Sequence, residues 1–142
     1  MRIWQTLLIS AGAVTLLAGC AGGALEKTRN LQPQGGAFNA GLYEGYLARA
    51  EHEYGYGDYQ SADLYSMRAQ QAANGETVMP FALDGEPIAS EEGFPVLDAK
   101  LPEIRNARRD LIQVLNRTAR QKAPEAAAEA QVMFDCWLEE SQ

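Results

Sequence analysis

Histidine is nearly absent from this chain. His52 is the one imidazole, and it stands between Glu51 and Glu53 on what reads as a helix surface. Cysteine is scarce as well, with Cys20 and Cys136 alone, so neither a Cys-x-x-Cys nor a His-x-x-x-His zinc pattern can be drawn. Also missing are a phosphate-cradling glycine loop that ends in lysine and a Gly-x-Ser-x-Gly nucleophile elbow. Glu51 and Glu53, two residues apart, do not face each other on a helix, and Glu139-Glu140 is a charged helix terminus rather than a catalytic dyad. Nucleophile, base and acid are not offered in workable order. The expectation is a non-enzymatic protein with no catalytic residue, no metal site and no cofactor.

Positive charge is also in short supply. The chain has 12 Lys and Arg against 19 Asp and Glu, for a formal net charge of −7. A protein that binds nucleic acid over its whole surface is basic, so no nucleic-acid partner is expected.

What is present begins at the amino terminus. Met1-Arg2 is followed by an apolar stretch over residues 3–17 and then by the small residues Ala18 and Gly19, which is the order of a secretory signal. Fifteen helical residues reach roughly 22 Å, short of the roughly 30 Å hydrocarbon core of a bilayer, so export and cleavage fit better than a permanent span. Leu17-Ala18-Gly19-Cys20 at the end of that stretch resembles the lipobox of bacterial lipoproteins. The resemblance implies that the Cys20 sulfur takes a diacylglycerol and that the signal peptide, residues 1–19, is then removed. Several acyl chains, at roughly 0.8 kcal/mol per buried methylene, make such an anchor nearly permanent. Ala21 rather than Asp follows the cysteine, which by the same resemblance points to the periplasmic face of the outer membrane rather than the inner one.

Cleavage before Cys20 leaves 123 residues, enough for one domain with a modest core. That mature chain carries eleven Lys and Arg, the twelve less Arg2, against nineteen Asp and Glu, for a formal charge of −8. With Cys20 acylated, only Cys136 remains, so no internal disulfide forms. Cys136 reads as a small buried hydrophobe; an intermolecular disulfide is the alternative.

Residues 20–38 show no periodic apolar face and include Pro33, Gly35 and Gly36, the composition of a flexible tether. The domain is expected over 39–142. Tyr43, Tyr46, Leu47, Ala50 and Tyr54 share one helical stripe, and after the glycine-rich break Gly55-Tyr56-Gly57-Asp58-Tyr59 a second stripe holds Ala62, Tyr65, Ala69 and Ala72. Asn74-Gly75 supplies a left-handed stop. Residues 39–74 therefore predict an αα-hairpin. Its Gly57-Asp58-Tyr59 turn, with Ala62 three places on and with Tyr46, Ala50 and Ala69, resembles a tetratricopeptide repeat, although Arg49 and Ser66 stand where such a repeat prefers apolar residues.

Residues 75–101 hold Pro80, Pro87 and Pro95 and no sustained period, which predicts a long irregular connection. Its apolar members Val78, Met79, Phe81, Phe94, Val96 and Leu97 suit a strap folded back on the helices; a partner-binding loop is the sharper alternative. From Pro102, Ile104, Ala107, Leu111, Val114, Leu115 and Thr118 form the next stripe, with Arg105, Arg108, Arg109, Arg117 and Arg120 assigned to the opposite side. Seven basic residues against Glu103 and Asp110 make residues 100–122 locally +5. This face is either solvated or a contact for an anionic membrane or polymer surface. Pro124 opens a final helix with Ala127, Ala130, Met133, Phe134, Trp137 and Leu138 on one stripe, which completes a second hairpin over 102–142. The expected fold is all-α: two αα-hairpins in a small helical bundle, with Phe134 and Trp137 as core.

Leu42-Tyr43-Glu44-Gly45-Tyr46-Leu47, Ala50-Glu51 and Phe134-Asp135-Cys136-Trp137-Leu138-Glu139 resemble the helical region that follows the lipidated cysteine in some proteobacterial OmpA-like lipoproteins. In that family an αβ domain that holds peptidoglycan follows; its Asp and Arg have no counterpart up to Gln142. Two functions are compatible with these readings. One is a lipid-anchored, non-catalytic helical interaction or scaffold module of the envelope. The alternative is the front portion of an OmpA-like, peptidoglycan-associated outer-membrane lipoprotein. The expected partners are the membrane, through the lipid, and another envelope protein or peptidoglycan.

Overall fold

A computed structural model describes residues 23–83 and 99–142. The elements within them are all helices: α1 (Gly23–Arg29), α2 (Ala37–Tyr56), α3 (Tyr59–Ala73), α4 (Leu101–Val114), a π-helical turn (Leu115–Ala119), α5 (Arg120–Lys122) and α6 (Pro124–Glu139). Cys20, the lipobox and the signal peptide lie outside the described residues, as do Phe94, Val96 and Leu97 of the connection.

The α2–α3 hairpin is the centre of the bundle. Its turn is narrower than the glycine-rich run suggested, because Gly55 and Tyr56 continue the helix and Gly57 alone takes a left-handed φ of 85°. Gly57 N–H donates to Tyr54 O at 3.1 Å and Asp58 N–H to Glu53 O at 3.0 Å, which satisfies the last carbonyls of α2. Asp58 then caps α3 by accepting from Ser61 N–H at 2.9 Å. Gly75, with φ of 77°, closes α3 in the same way through bonds to Ala72 O and, from Glu76, to Gln71 O. Tyr43, Tyr46, Ala50, Ala62, Tyr65, Ala69 and Ala72 are buried as their stripes predict, while Leu47 is half-buried and Tyr54 is exposed.

The segment expected as a tether is folded in its first half. Residues 23–29 form α1, which packs on α3 with Leu25 and Thr28 fully buried. The sequence conceals this because a seven-residue helix has room for only one apolar contact per turn, and half of the burial here is a threonine.

After α4 the backbone passes through the π turn into α5, and the chain reverses at Ala123, whose φ of −144° and ψ of 61° leave the helical region, as the following proline favours. The second hairpin thus forms, but α6 packs mainly on α2 rather than on α4. Within α4 and its continuation Ile104 and Leu115 are buried and Ala107 and Leu111 half-buried, whereas Val114 and Thr118 are exposed. The buried line runs 104, 108, 111, 115 and 119, so Val114 and Thr118 are one position out of phase. On α6, Ala127, Phe134 and Leu138 are buried, Trp137 is half-buried, and Ala130 and Met133 face outward. Ala128, Gln131, Val132, Asp135 and Cys136 take the burial instead. An alanine-rich helix has no single dominant stripe, and contact with α2 rotated it.

The approach of α2 to α6 depends on two side chains that do not exist. A Cβ on Gly41 would lie 2.9 Å from the Ala128 Cβ, and one on Gly45 would lie 2.8 Å from a Val132 methyl. The Ala128 methyl is fixed to the α6 backbone and fully buried, so only helix separation relieves the first clash. By contrast nothing stands within 4 Å of a Cβ on Gly55. Gly41→Ala is therefore expected to destabilise by about 1 to 3 kcal/mol, the overpacking cost outweighing the propensity gain. Gly55→Ala, which has the gain without the clash, should stabilise by about 0.5 to 1 kcal/mol. Urea unfolding of the two variants beside wild type checks the opposite signs.

Candidate functional site

A polar cluster surrounds the carboxylate of Asp135, fully buried on α6. It accepts from the Tyr46 hydroxyl of α2 at 2.5 Å, from Arg68 Nη2 of α3 at 3.1 Å and from the Phe81 backbone N–H at 2.7 Å. Arg68 also donates to Met79 O and lies over the Phe81 ring, 4.3 Å from its centre. Gln131 Nε2 bridges the Tyr46 hydroxyl at 3.1 Å and Val78 O at 3.0 Å. From α4, Arg108 donates through Nε to Phe81 O at 2.6 Å and through Nη2 to Pro80 O at 3.3 Å.

These contacts account for residues 78–81, which belong to no helix. Their backbone groups are buried and need partners, and side chains of α3, α4 and α6 supply them. The early part of the connection is thus a packed strap. Burial pushes the Asp135 carboxyl up from 3.8 to about 6, against the opposing pull of Arg68, the Tyr46 hydroxyl and the Phe81 N–H. Burial first, and then the Asp135 charge, holds the Tyr46 hydroxyl well above its usual range. A carboxylate so enclosed and so fully donated to holds the bundle together and is not presented to a substrate.

The arginines assigned to one basic face are divided by the structure. Arg108 is 8% exposed and belongs to the strap contacts, which corrects its assignment to the solvent side: four residues beyond Ile104, it lies on the buried line. Arg120 is half-buried, its guanidinium 5.0 Å from the centre of the Phe38 ring and its Nη2 3.6 Å from Met79 Sδ. Arg105, Arg109 and Arg117 are exposed, Arg109 beside Asp110 at 3.3 Å. His52 is exposed at the surface, with its ring 4.7 Å from that of Tyr56. Cys136 is buried, and burial pushes its thiol up to about 11, so it is a poor nucleophile at neutral pH. Among the described residues, no group of three or more His, Cys, Asp or Glu could hold a metal ion.

An open groove of about 450 Å³ runs along the α2–α6 crossing. Gly41, Gly45 and Val132 form its floor, Met133 stands exposed at its edge, and the exposed side chains of Glu44, Glu125 and Glu129 rim it. Arg49 closes one end, paired with Glu53 at 2.9 Å and Glu140 at 3.5 Å. The bare glycine positions leave space beside the crossing that a larger side chain would fill. Apolar floor and acidic rim suit an amphipathic, cationic segment, with methionine as the adaptable contact.

Sequence reasoning found the apolar stripes and missed Arg68, Gln131 and Asp135, although the signal was there. Each stands at helical spacing from buried apolar residues: Arg68 three after Tyr65, Asp135 three before Leu138 and four after Gln131. A polar residue inside a core stripe asks for a buried partner.

Two outcomes test this account. Arg108→Ala is expected to cost about 3 to 5 kcal/mol, since it strips donors from two buried carbonyls and removes a packed side chain, whereas Arg105→Ala should change stability by less than about 0.5 kcal/mol; chemical denaturation separates them. For Asp135 the folded pKa lies above the unfolded one, so its contribution is fully present below about pH 4 and is lost as pH rises through about 6. Wild-type stability relative to Asp135→Asn should therefore fall between about pH 4 and 6 and level off above, measured by urea midpoints across that range.

No family model, curated protein or solved structure matches the chain, so the functional reading stands on its own residues.

Proposed function

We propose that this protein is a lipid-anchored envelope protein on the periplasmic face of the outer membrane that acts as a non-catalytic helical interaction module. The observation that carries the reading is Leu17-Ala18-Gly19-Cys20 placed directly after an apolar run of signal-peptide length. Lipid attachment needs a thiol beside small residues at the end of such a run, and the order here supplies it. The α2–α6 groove supports the second half of the reading, because its acidic rim and apolar floor offer a face to a partner in the envelope. Of the seven basic residues over 100–122, Lys100, Arg105, Arg109, Arg117 and Lys122 stay exposed, beside exposed Glu103 and Asp110, and in this reading the lipid carries the membrane attachment.

The test is expression of wild type and Cys20→Ala in a Gram-negative host with labelled palmitate. Wild type should incorporate label and fractionate with the outer membrane, and Cys20→Ala should remain an unlabelled, unprocessed precursor. Equal labelling of the two would overturn the reading.

A further inference from the structure

We propose that the groove between α2 and α6 is a docking seam for one class of partner, an amphipathic helix whose narrow face of small apolar residues is flanked on both sides by lysine or arginine. This rests on the interaction-module half of the proposed function and deepens it by naming the chemistry of the partner. The anchor at Cys20 is a separate matter with its own test.

Gly41 stands opposite Ala128 and Gly45 opposite Val132, while Tyr46 reaches Asp135 and Arg49 reaches Glu140, so α2 and α6 run in the same direction along this seam. The lining spans Gly41 to Arg49 on one side and Glu125 to Met133 on the other. Eight residues of helix measure about 12 Å, roughly two turns. Two helices side by side leave a concave seam into which a third packs, ridge into groove, and a helix so docked is read through apolar anchors at i, i+3, i+4 and i+7. Gly41 and Gly45 add no side chain to the floor, so small anchors that bring the partner's backbone close fit it. Met133, 60% exposed at the edge, is unbranched and adapts to their shape.

Charge selects the flanks. Glu44 lines the groove from the α2 side, and Glu125 and Glu129, one turn apart, line it from the α6 side, all three exposed. None of the three is in an ion pair among the described residues, whereas Glu26, Glu51, Glu53 and Glu140 are each held by an arginine. Arg49, the basic residue of the lining, is already shared between Glu53 at 2.9 Å and Glu140 at 3.5 Å. A docked helix therefore meets carboxylates without counter-charge on both flanks, and cations placed there gain association rate and specificity.

The same charges disfavour other occupants. A second copy seated seam to seam would set like carboxylates against each other, and an anionic headgroup layer has the wrong sign. The formal charge of −8 on the mature chain adds to both repulsions.

The experiment uses the full chain, labelled at its methionine methyls with carbon-13 and purified in dodecyl maltoside, and synthetic stapled helices of about 14 residues, long enough to hold helical form across the seam. One helix carries alanine and leucine on one face with lysine on both flanks. A second has glutamate in place of lysine, and a third has the composition of the first in an order that forms no apolar face. The Met133 methyl signal, assigned with Met133→Leu, is expected to shift saturably with the lysine helix and with neither control. Met67, 55% exposed on α3 and outside the groove, should stay in place. Glu125→Lys combined with Glu129→Lys should weaken binding by about ten-fold or more with an unchanged circular dichroism spectrum, and high salt should weaken it as well. Equal shifts with the lysine and glutamate helices, equal movement of Met67 and Met133, or no saturable shift would overturn the proposal. So would a Met133 shift that grows with protein concentration in the absence of peptide, the mark of a second copy in the groove. None of these outcomes alters palmitate labelling at Cys20, so the groove and the anchor stand or fall separately.

Discussion

One buried carboxylate coordinates most of this fold. Asp135 takes hydrogen bonds from α2, from α3 and from the strap at Phe81, so four parts of the chain meet at two oxygen atoms. Taking Asp135 and Arg68 out of water costs several kcal/mol per ion, which is offset by the three hydrogen bonds the carboxylate accepts and by the contacts of the Arg68 guanidinium with Asp135, Met79 O and the Phe81 ring. These contacts make the arrangement specific. Sliding α6 along α2 by one turn would separate Asp135 from Tyr46, and releasing the strap would remove one of its three donors. Apolar contacts alone, in a core with this much alanine, would discriminate less sharply between such neighbouring packings.

Small residues set the distances that the carboxylate requires. Gly41 and Gly45 let α2 approach Ala128 and Val132, and Ala62, Ala69 and Ala72 do the same for the α2–α3 seam, where all three are fully buried. Tyr46 and Tyr65 then fill the space between, their rings 6.2 Å apart. The bare glycines have a second effect. They also line a groove between α2 and α6, so one packing device both closes the core and leaves a concave surface beside it. The Phe134-Asp135-Cys136-Trp137 ending has a structural account as well: Phe134 and Trp137 meet edge to face, Asp135 is the core acceptor and Cys136 is buried.

The helices were legible in the sequence wherever their signals were local. The α2 and α3 stripes, the stops at Gly57 and Gly75 and the start at Pro124 follow from 3.6-residue periodicity and from backbone conformations that only certain residues adopt. Where the period was applied to apolar residues alone, phase errors entered. Apolar periodicity alone turns Val114, Thr118, Ala130 and Met133 inward and Arg108 outward, whereas the four are exposed and Arg108, on the same line as Ile104, is buried. The α4 error grew towards the π turn, where an α-helical count no longer holds.

By itself the sequence determined the covalent order that ends in Leu17-Ala18-Gly19-Cys20, the all-helical class and the places where helices begin and stop. All of these depend on neighbours a few residues away. Tertiary structure alone decided that residues 23–29, expected within a tether, pack as a helix on α3, that α6 rests on α2, and that Arg68, Arg108 and Asp135 are buried. The reason is distance along the chain: Tyr46 and Asp135 are 89 residues apart and Phe81 and Asp135 are 54 apart. Whether a charged side chain is solvated or enclosed depends on partners that only the folded chain brings to it.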